Sequence, residues 1–444
     1  MAVGDAGGGN IGSCSYRVLD ETAEAAVDCK NSSAHHGSVS LAGVTANMIT
    51  AGLGVGILSL PWAMAGASLL PSVLTILVVM GLNVVTVMIL VEAADRYQAF
   101  DLGALLGHLP GRWSWVVQIV CNLMTAASVF LCLTGILVVI ADSLEPFAAP
   151  ALGYQVRDLA TGRPWWEVRV PLLFLGALGA LPLCFLDQRR LSFSSALGIL
   201  VNIYLFLVLL MMLKDNGAAP ECCWFGATTG TITMFSSLMQ CSIIQMCVLP
   251  MYKELDNRSP RRFFVAVIAA FSFLAVLFAA FSSAGYLLFG SQVQTNVIQD
   301  FPKDTSGTIA RLGLVLAVLA VYPLLAVSVV APVRHWEERS ARETRCASQV
   351  VTVAIVAISA VGGMFVNRLG DLNQVNGALQ VSCFIGLVPG FSGLYLLGKE
   401  AMSWRMLMYT LIVSSLVASG LGLVYTKNQV DELRAGCMWF VSTK

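Results

Sequence analysis

The sequence predicts an all-α polytopic membrane protein of about eleven transmembrane helices. Two observations carry this. Of 444 residues, 57% are hydrophobic and only 12% are charged, about half the charge of a typical soluble domain. The charges are also bunched, which leaves long uncharged stretches. No charge falls between Lys30 and Glu92, and further charge-free runs cover 113–141, 170–186, 191–213, 222–252, 263–299, 312–333, 346–367, 372–398 and 406–426. A membrane-spanning helix needs roughly 20 apolar residues. The first run is long enough for two spans, with a break expected near Gly66–Ser68, and the other nine hold one each. The run 170–186 is the shortest.

Taken in order, residues 1–38 are rich in Gly, Ser, Ala and acidic residues, without the apolar core of a cleavable leader. They read as a disordered cytoplasmic tail. Spans one to five occupy 39–213, spans six to ten 214–398 and span eleven 399–426. Residues 427–444 form a tail on the far side. The longest far-side loop, Asp142 to Arg169, ends near Trp165 and Trp166, which suit a membrane interface.

Eleven spans put the termini on opposite sides, and basic loops mark the cytoplasm. One set of alternate loops holds 14 Lys and Arg, among them Arg96, Arg189, Arg258, Arg261, Arg262 and Arg339, and the other holds 7. This ratio puts the N-terminus inside. The sequons at Asn31 and Asn257 then lie on the side where no glycan is added.

Equal numbers of acidic and basic residues, 26 each, argue against nucleic-acid binding. The 12 Cys show no CxxC pair, and no His spacing suits zinc, so neither metal nor cofactor is implied. Cys222, Cys223 and Cys437 fall on the far side, where a disulfide and free thiols are equally open readings. No Asp, Glu, Lys or Arg lies inside any expected span. This argues against a voltage sensor or a carboxylate-relay pump, and it weakens the case for an embedded hydrolase. A charged ligand at mid-membrane must be met by peptide dipoles, hydroxyls, amides and bound ions.

The first span offers such a device. Gly52, Gly54 and Gly56 fall within five residues, with Pro61 beyond. Each Gly costs a helix about 1 kcal/mol. A helix interrupted there frees amides for a carboxylate and carbonyls for an ammonium or a cation. The competing reading of Gly52 and Gly56 is close helix packing, at even odds. In the sixth span, Ser236, Gln240, Cys241, Ser242 and Gln245 could line a cavity or bond to neighbouring helices. Spans one and six are five apart, the separation of the broken helices in two inverted halves.

Five motifs resemble the amino acid/auxin permease family, within the wider amino acid–polyamine–organocation transporters. Gly54-Val-Gly-Ile-Leu-Ser-Leu-Pro-Trp-Ala63 looks like its first-span pattern, and Leu249-Pro-Met-Tyr-Lys-Glu-Leu255 like the end of its sixth. Gly285-Tyr-Leu-Leu-Phe-Gly290 with Gln294-Thr-Asn-Val-Ile298 is similar to the segment after its seventh span. Tyr322-Pro323 with Pro332-Val-Arg334, and Gly377 with Pro389-Gly390, resemble its eighth and tenth. The resemblance implies a five-plus-five inverted repeat plus one helix, with helices 1 and 6 broken. It implies a small-molecule substrate, a neutral amino acid, carried across the lipid bilayer by alternating access. The substrate would contact Thr50, Gly52, Leu53, Gly54, Gly56, Cys241, Ser242 and Gln245.

Sodium-coupled members carry a first-span Asn where this chain has Thr50, and an eighth-span Thr where Leu312–Val333 offers only Ser328. Asn47, Thr50 and Ser328 therefore form the candidate ion site, and it is poor in oxygen. The expectation is proton-coupled or facilitated transport with little sodium dependence. A sodium symporter and an amino acid sensor without net transport are the alternatives. No proton carrier stands out, since His35, His36, His108 and His335 lie in tails or loops and Glu92 and Glu254 at span ends. The membrane is the plasma membrane or that of a vacuole or lysosome.

Overall fold

A computed structural model describes residues 39–151, 166–185, 194–220, 222–226, 228–339, 346–398, 401–425 and 437–440. Among these, nine helices are long and apolar enough to cross a membrane, and a bent pair makes a tenth crossing. The fourth expected span is the helix Trp166–Cys184, whose apolar part, from Val168, is shorter than the others. The first span is Leu41–Gly52 and Val55–Ala67, bent by 45°. It ends where expected, at Ser68, whose φ of 68° turns the chain into the second span, Leu69–Tyr97. The third is Arg112–Ala151 and the fifth Ser194–Asn216. The sixth is Gly230–Ser242 with Gln245–Glu254, and the seventh is Pro260–Phe289. The eighth is Thr305–Arg339, the ninth Cys346–Met364 and the eleventh Met402–Val424. The tenth begins as an α-helix at Leu369, then winds more widely as a π-helix over Val381–Leu387 and Ser392–Leu396.

Several helices outrun the charge-free stretches that announced them. The third continues through Asp142 and Glu145, and the eighth begins before Arg311. Arg311 enters its helix because its guanidinium is partnered. Arg311, 1% exposed, donates to the carbonyls of Ile298 (3.1 Å), Phe301 (2.8 Å) and Pro302 (2.8 Å). Conversely, the run 263–299 is not all span. Its helix stops at Phe289, Gly290 reverses the chain at φ 59°, and Val297–Asp300 form a 3₁₀ turn that Arg311 clamps.

Two faces emerge. On the N-terminal face, the Val39 N–H donates to the Glu254 carbonyl (3.1 Å) and the Asp256 N–H to the Val39 carbonyl (2.9 Å). The start of the first span is thereby latched to the end of the sixth. Beside it the Tyr252 hydroxyl donates to Asp95 (2.6 Å), and Arg258 stacks 4.1 Å over Phe100 while donating to Gln98 (3.1 Å). On the opposite face, Cys223–Gly226 (β1) pairs antiparallel with Cys437–Phe440 (β2), and a disulfide joins Cys223 to Cys437. The bridge thus takes Cys223, and Cys222 stays a buried thiol. Residues 1–38, with His35, His36 and Asn31, and the loop bearing Trp165 lie outside the described residues.

Candidate functional site: two interrupted helices

The first span unwinds at Leu53 and Gly54. The Leu53 N–H still donates to the Ile49 (3.0 Å) and Thr50 (3.2 Å) carbonyls and so closes the first half-helix. Gly54 is extended (φ −85°, ψ −178°) and solvent-exposed, and nothing lies within 4 Å of where a Cβ would be. Any residue can adopt that backbone, so what glycine supplies here is open space. Its two neighbours differ. A Cβ at Gly52 would sit 2.6 Å from Leu274 Cδ1 of the seventh span, and one at Gly56 2.6 Å from Cys241 Sγ of the sixth. The packing reading therefore holds at Gly52 and Gly56, and the opening is at Gly54.

The sixth span unwinds at Ile243 and Ile244, five helices on. Among the described residues, the Gly54 and Ile244 N–H groups find no acceptor, and the Leu53 and Ile243 carbonyls find no donor. Ile243 and Ile244 are buried, where peptide groups are almost always paired, whereas Leu53 is half-buried and Gly54 opens to solvent. Two bare donors and two bare acceptors at paired helix breaks form a place for a dipolar solute, because half-helix ends carry partial charges of both signs. The close approach of Gly56 to Cys241 and Gln240 sets the two breaks side by side.

The remaining candidate residues separate into roles. The Thr50 hydroxyl is spent on the Ala46 carbonyl (2.9 Å), and Asn47 is exposed. Ser328 lies on the eighth span, and its side chain falls outside the described residues. The Cys241 thiol donates to the Ser237 carbonyl (3.2 Å). Ser242 and Gln245 face the second span. Gln245 Nε2 donates to Asn83 Oδ1 (3.0 Å) and Thr86 Oγ1 (2.9 Å), and Asn83 Nδ2 donates to Ser242 Oγ (3.2 Å). This fully buried quartet braces the second break from behind. Asn83 and Thr86, three residues apart in an otherwise apolar run, were the sequence signal for it.

A second wall was also overlooked in the sequence. Gln240 Nε2 donates to Cys132 Sγ (3.2 Å), and Asn376 Nδ2 to the same sulfur (3.4 Å) and to the Ser128 carbonyl (3.2 Å). Gln380 donates to the Ser128 hydroxyl. Asn373 donates to Ser59 (2.9 Å), which donates to the Gly56 carbonyl (2.9 Å). These amides tie the third and tenth spans to the turn after the first break. The amide oxygens of Gln240, Asn376 and Gln380 receive no hydrogen bond. Spacings of three and four put Asn373, Asn376 and Gln380 on one face of their helix, a pattern visible in the sequence once the tenth span is read as polar on one side. The Glu92 carboxylate lies at an exposed span end, and His108 packs against Tyr97 in a loop, with ring centroids 5.1 Å apart.

The same arrangement occurs in solved transporters. The inward-facing conformation of Mhp1 superposes with a TM-score of 0.59 at 12% identity, covering 90% of this chain and 92% of that one. MhsT in complex with L-phenylalanine gives 0.53 at 12%, covering 86% and 98%. At that identity the likeness shows the fold, which is the inverted-repeat architecture with broken first and sixth helices. Among sequences, the amino acid transporter AVT6E of Arabidopsis thaliana is 23% identical over 415 residues, covering 86% of this chain and 83% of the relative. The sodium-coupled neutral amino acid transporter 7 of Xenopus laevis is 25% identical over 420 residues, covering 88% and 90%. These relatives are membrane transporters, not enzymes. The profile described as "Transmembrane amino acid transporter protein" matches residues 37–429, and this multi-pass chain therefore belongs to the transmembrane amino acid transporter family.

Proposed function

We propose that the chain is a secondary transporter of small neutral amino acids that works by alternating access, with the zwitterion held between the two helix breaks. The observation that carries this is the set of four bare peptide groups at Leu53, Gly54, Ile243 and Ile244. The N–H groups suit a carboxylate and the carbonyls an ammonium. The two inverted halves would be 39–213 and 214–398, followed by the span within 399–426 and the tail 427–444. Of the first-span residues, Leu53 and Gly54 would touch substrate by main chain, and Gly52 and Gly56 would set the helix approach. Ser242 and Gln245 would hold the second break in place, and Cys241 would line it.

The N-terminal face would be cytoplasmic. Basic residues favour that side two to one in the loops. The Cys223–Cys437 bridge on the other face suits an oxidising compartment.

Transport would be proton-coupled or facilitative. The expected ion site offers sodium few side-chain oxygens, those of Asn47, which is exposed, of Thr50, whose hydroxyl proton goes to the Ala46 carbonyl, and of Ser328. The sodium reading has one support, the coupling stated in the name of the Xenopus relative. Uptake of the twenty amino acids into proteoliposomes, at two pH values with and without sodium, tests both. Absence of flux under every condition would leave the sensor reading.

A further inference from the structure

The turn Val297–Asp300 packs on the 3₁₀ turn Val55–Ser59 and against the third span, so residues 293–302 form a lid over the first break on the disulfide face. A hydrogen bond fastens the lid to the third span: Asn296 Nδ2 donates to Asp142 Oδ2 at 2.9 Å. We propose that Asp142 is a proton-binding site, and that shutting the lid over it takes up one proton from the solvent on that face. The O–H bond forms on Asp142 Oδ1, the proton comes from solvent, and no other bond changes.

The geometry supports this in three ways. The Asp142 side chain is 3% exposed, so the shut lid removes it from water. Its Oδ1 receives no hydrogen bond and lies 3.7 Å from Arg169 Nη2, beyond hydrogen-bonding reach. Arg169 is also engaged elsewhere, donating through Nη1 to the Asn367 carbonyl (3.3 Å). Finally, Glu145, about one turn along the same helix, lies in the field of the same guanidinium. Two carboxylates sharing one partner away from water are not both held charged.

Among the described residues, the other charged groups near Asp142 and the lid are these. From the lid, Gln299 joins Asn296 as a neighbour of the carboxylate. Lys303 is exposed at the lid's end and acts on Glu145. Arg311 is committed to three lid carbonyls. Asp304 is held below the usual carboxylate range by the Gly307 N–H and the Ser306 hydroxyl, and so stays charged. Arg368 faces Asp371 at the start of the tenth span. Among the described residues, Glu145 and Asp300 are the competing titrators. Asp300 accepts the Gln294 N–H (2.8 Å), and burial raises it to about 6. For Asp300 too, the shut lid favours the protonated form, so acid favours closure and the benefit fades as pH rises through about 6.

Hydrogen exchange over residues 293–302, in the full chain reconstituted in nanodiscs, reads the lid without requiring any flux. Failure of the amino acid carrier reading would therefore leave this test intact. Corrected for intrinsic rates, lid protection should rise at least about fivefold from about pH 8 to about pH 5. Asp142→Asn, uncharged at every pH, should give high protection with most of that dependence gone. Asp300→Asn should keep most of it. Arg169→Gln should move the transition to higher pH, which provides an independent reading if Asp142→Asn does not fold. Wild-type pH dependence in Asp142→Asn, a dependence abolished only by Asp300→Asn, or an unmoved transition in Arg169→Gln would each overturn the proposal.

Discussion

The two helix breaks are built in opposite ways. The first rests on the absence of a side chain: a Cβ at Gly54 would have nothing within 4 Å, and the break is held from either side, by the closeness of Gly52 and Gly56 to Leu274 and Cys241 and by the Asn373–Ser59 bond. The second rests on the presence of side chains: Ile243 and Ile244 are buried, and Ser242 and Gln245 on either side are tied to Asn83 and Thr86. One break has room to change shape and the other is anchored. A carrier that opens alternately to two sides needs such an asymmetry, because one half of the site must hold while the other moves.

This contrast can be broken at its tightest point. Gly56→Val should abolish amino acid uptake and lower stability by about 1–3 kcal/mol, since the added methyls meet the Cys241 sulfur. Gly54→Ala, two residues away, should stay within about 1 kcal/mol of wild type, because that position is empty. Thermal unfolding in detergent, alongside uptake, separates the two. Equal damage from both would mean that the first break is fixed by its backbone shape and not by its neighbours.

The anchored break should respond more mildly. Gln245→Leu removes two hydrogen bonds and should cost about 1–2 kcal/mol, with a double-mutant coupling to Asn83→Leu of about 0.6–1.7 kcal/mol. No coupling would show that the quartet does not act as a unit. Asn47→Ala should do least. Asn47 is exposed, and uptake should keep its rate and its small response to sodium. A steep sodium dependence that vanishes in this variant would instead place an ion beside the first break.

Most of the fold was legible because hydrocarbon admits so few sequences. Charge-free runs marked the spans, and Ser68 broke the long first run. The runs failed where a charge found partners inside the bundle: Arg311 and Asp142 look like loop residues until the lid carbonyls and Asn296 are seen around them. At the site, the glycine cluster pointed to the first break, and the polar cluster from Gln240 to Gln245 pointed to the second. The sequence could not say which neighbour each side chain would meet. Gln245 reads equally well as a ligand or a brace, and its bond to Asn83, 162 residues earlier, is not visible in the sequence. The third-to-tenth-span amides were missed for the same reason, as their partner Ser128 looks unremarkable on its own helix.

The bridge between Cys223 and Cys437 has a consequence for biosynthesis. The two cysteines are 214 residues apart, so Cys223 leaves the ribosome long before its partner. It must wait as a thiol while six further helices are threaded into the bilayer, with Cys222 next to it as a competitor. The finished protein holds the Cys222 sulfur against the carbonyls of Tyr286 (3.5 Å) and Leu287 (3.9 Å), on the helix that follows the sixth span. Seating that thiol early would keep the wrong cysteine out of the pairing until the segment bearing Cys437 is translated and closes the correct bond.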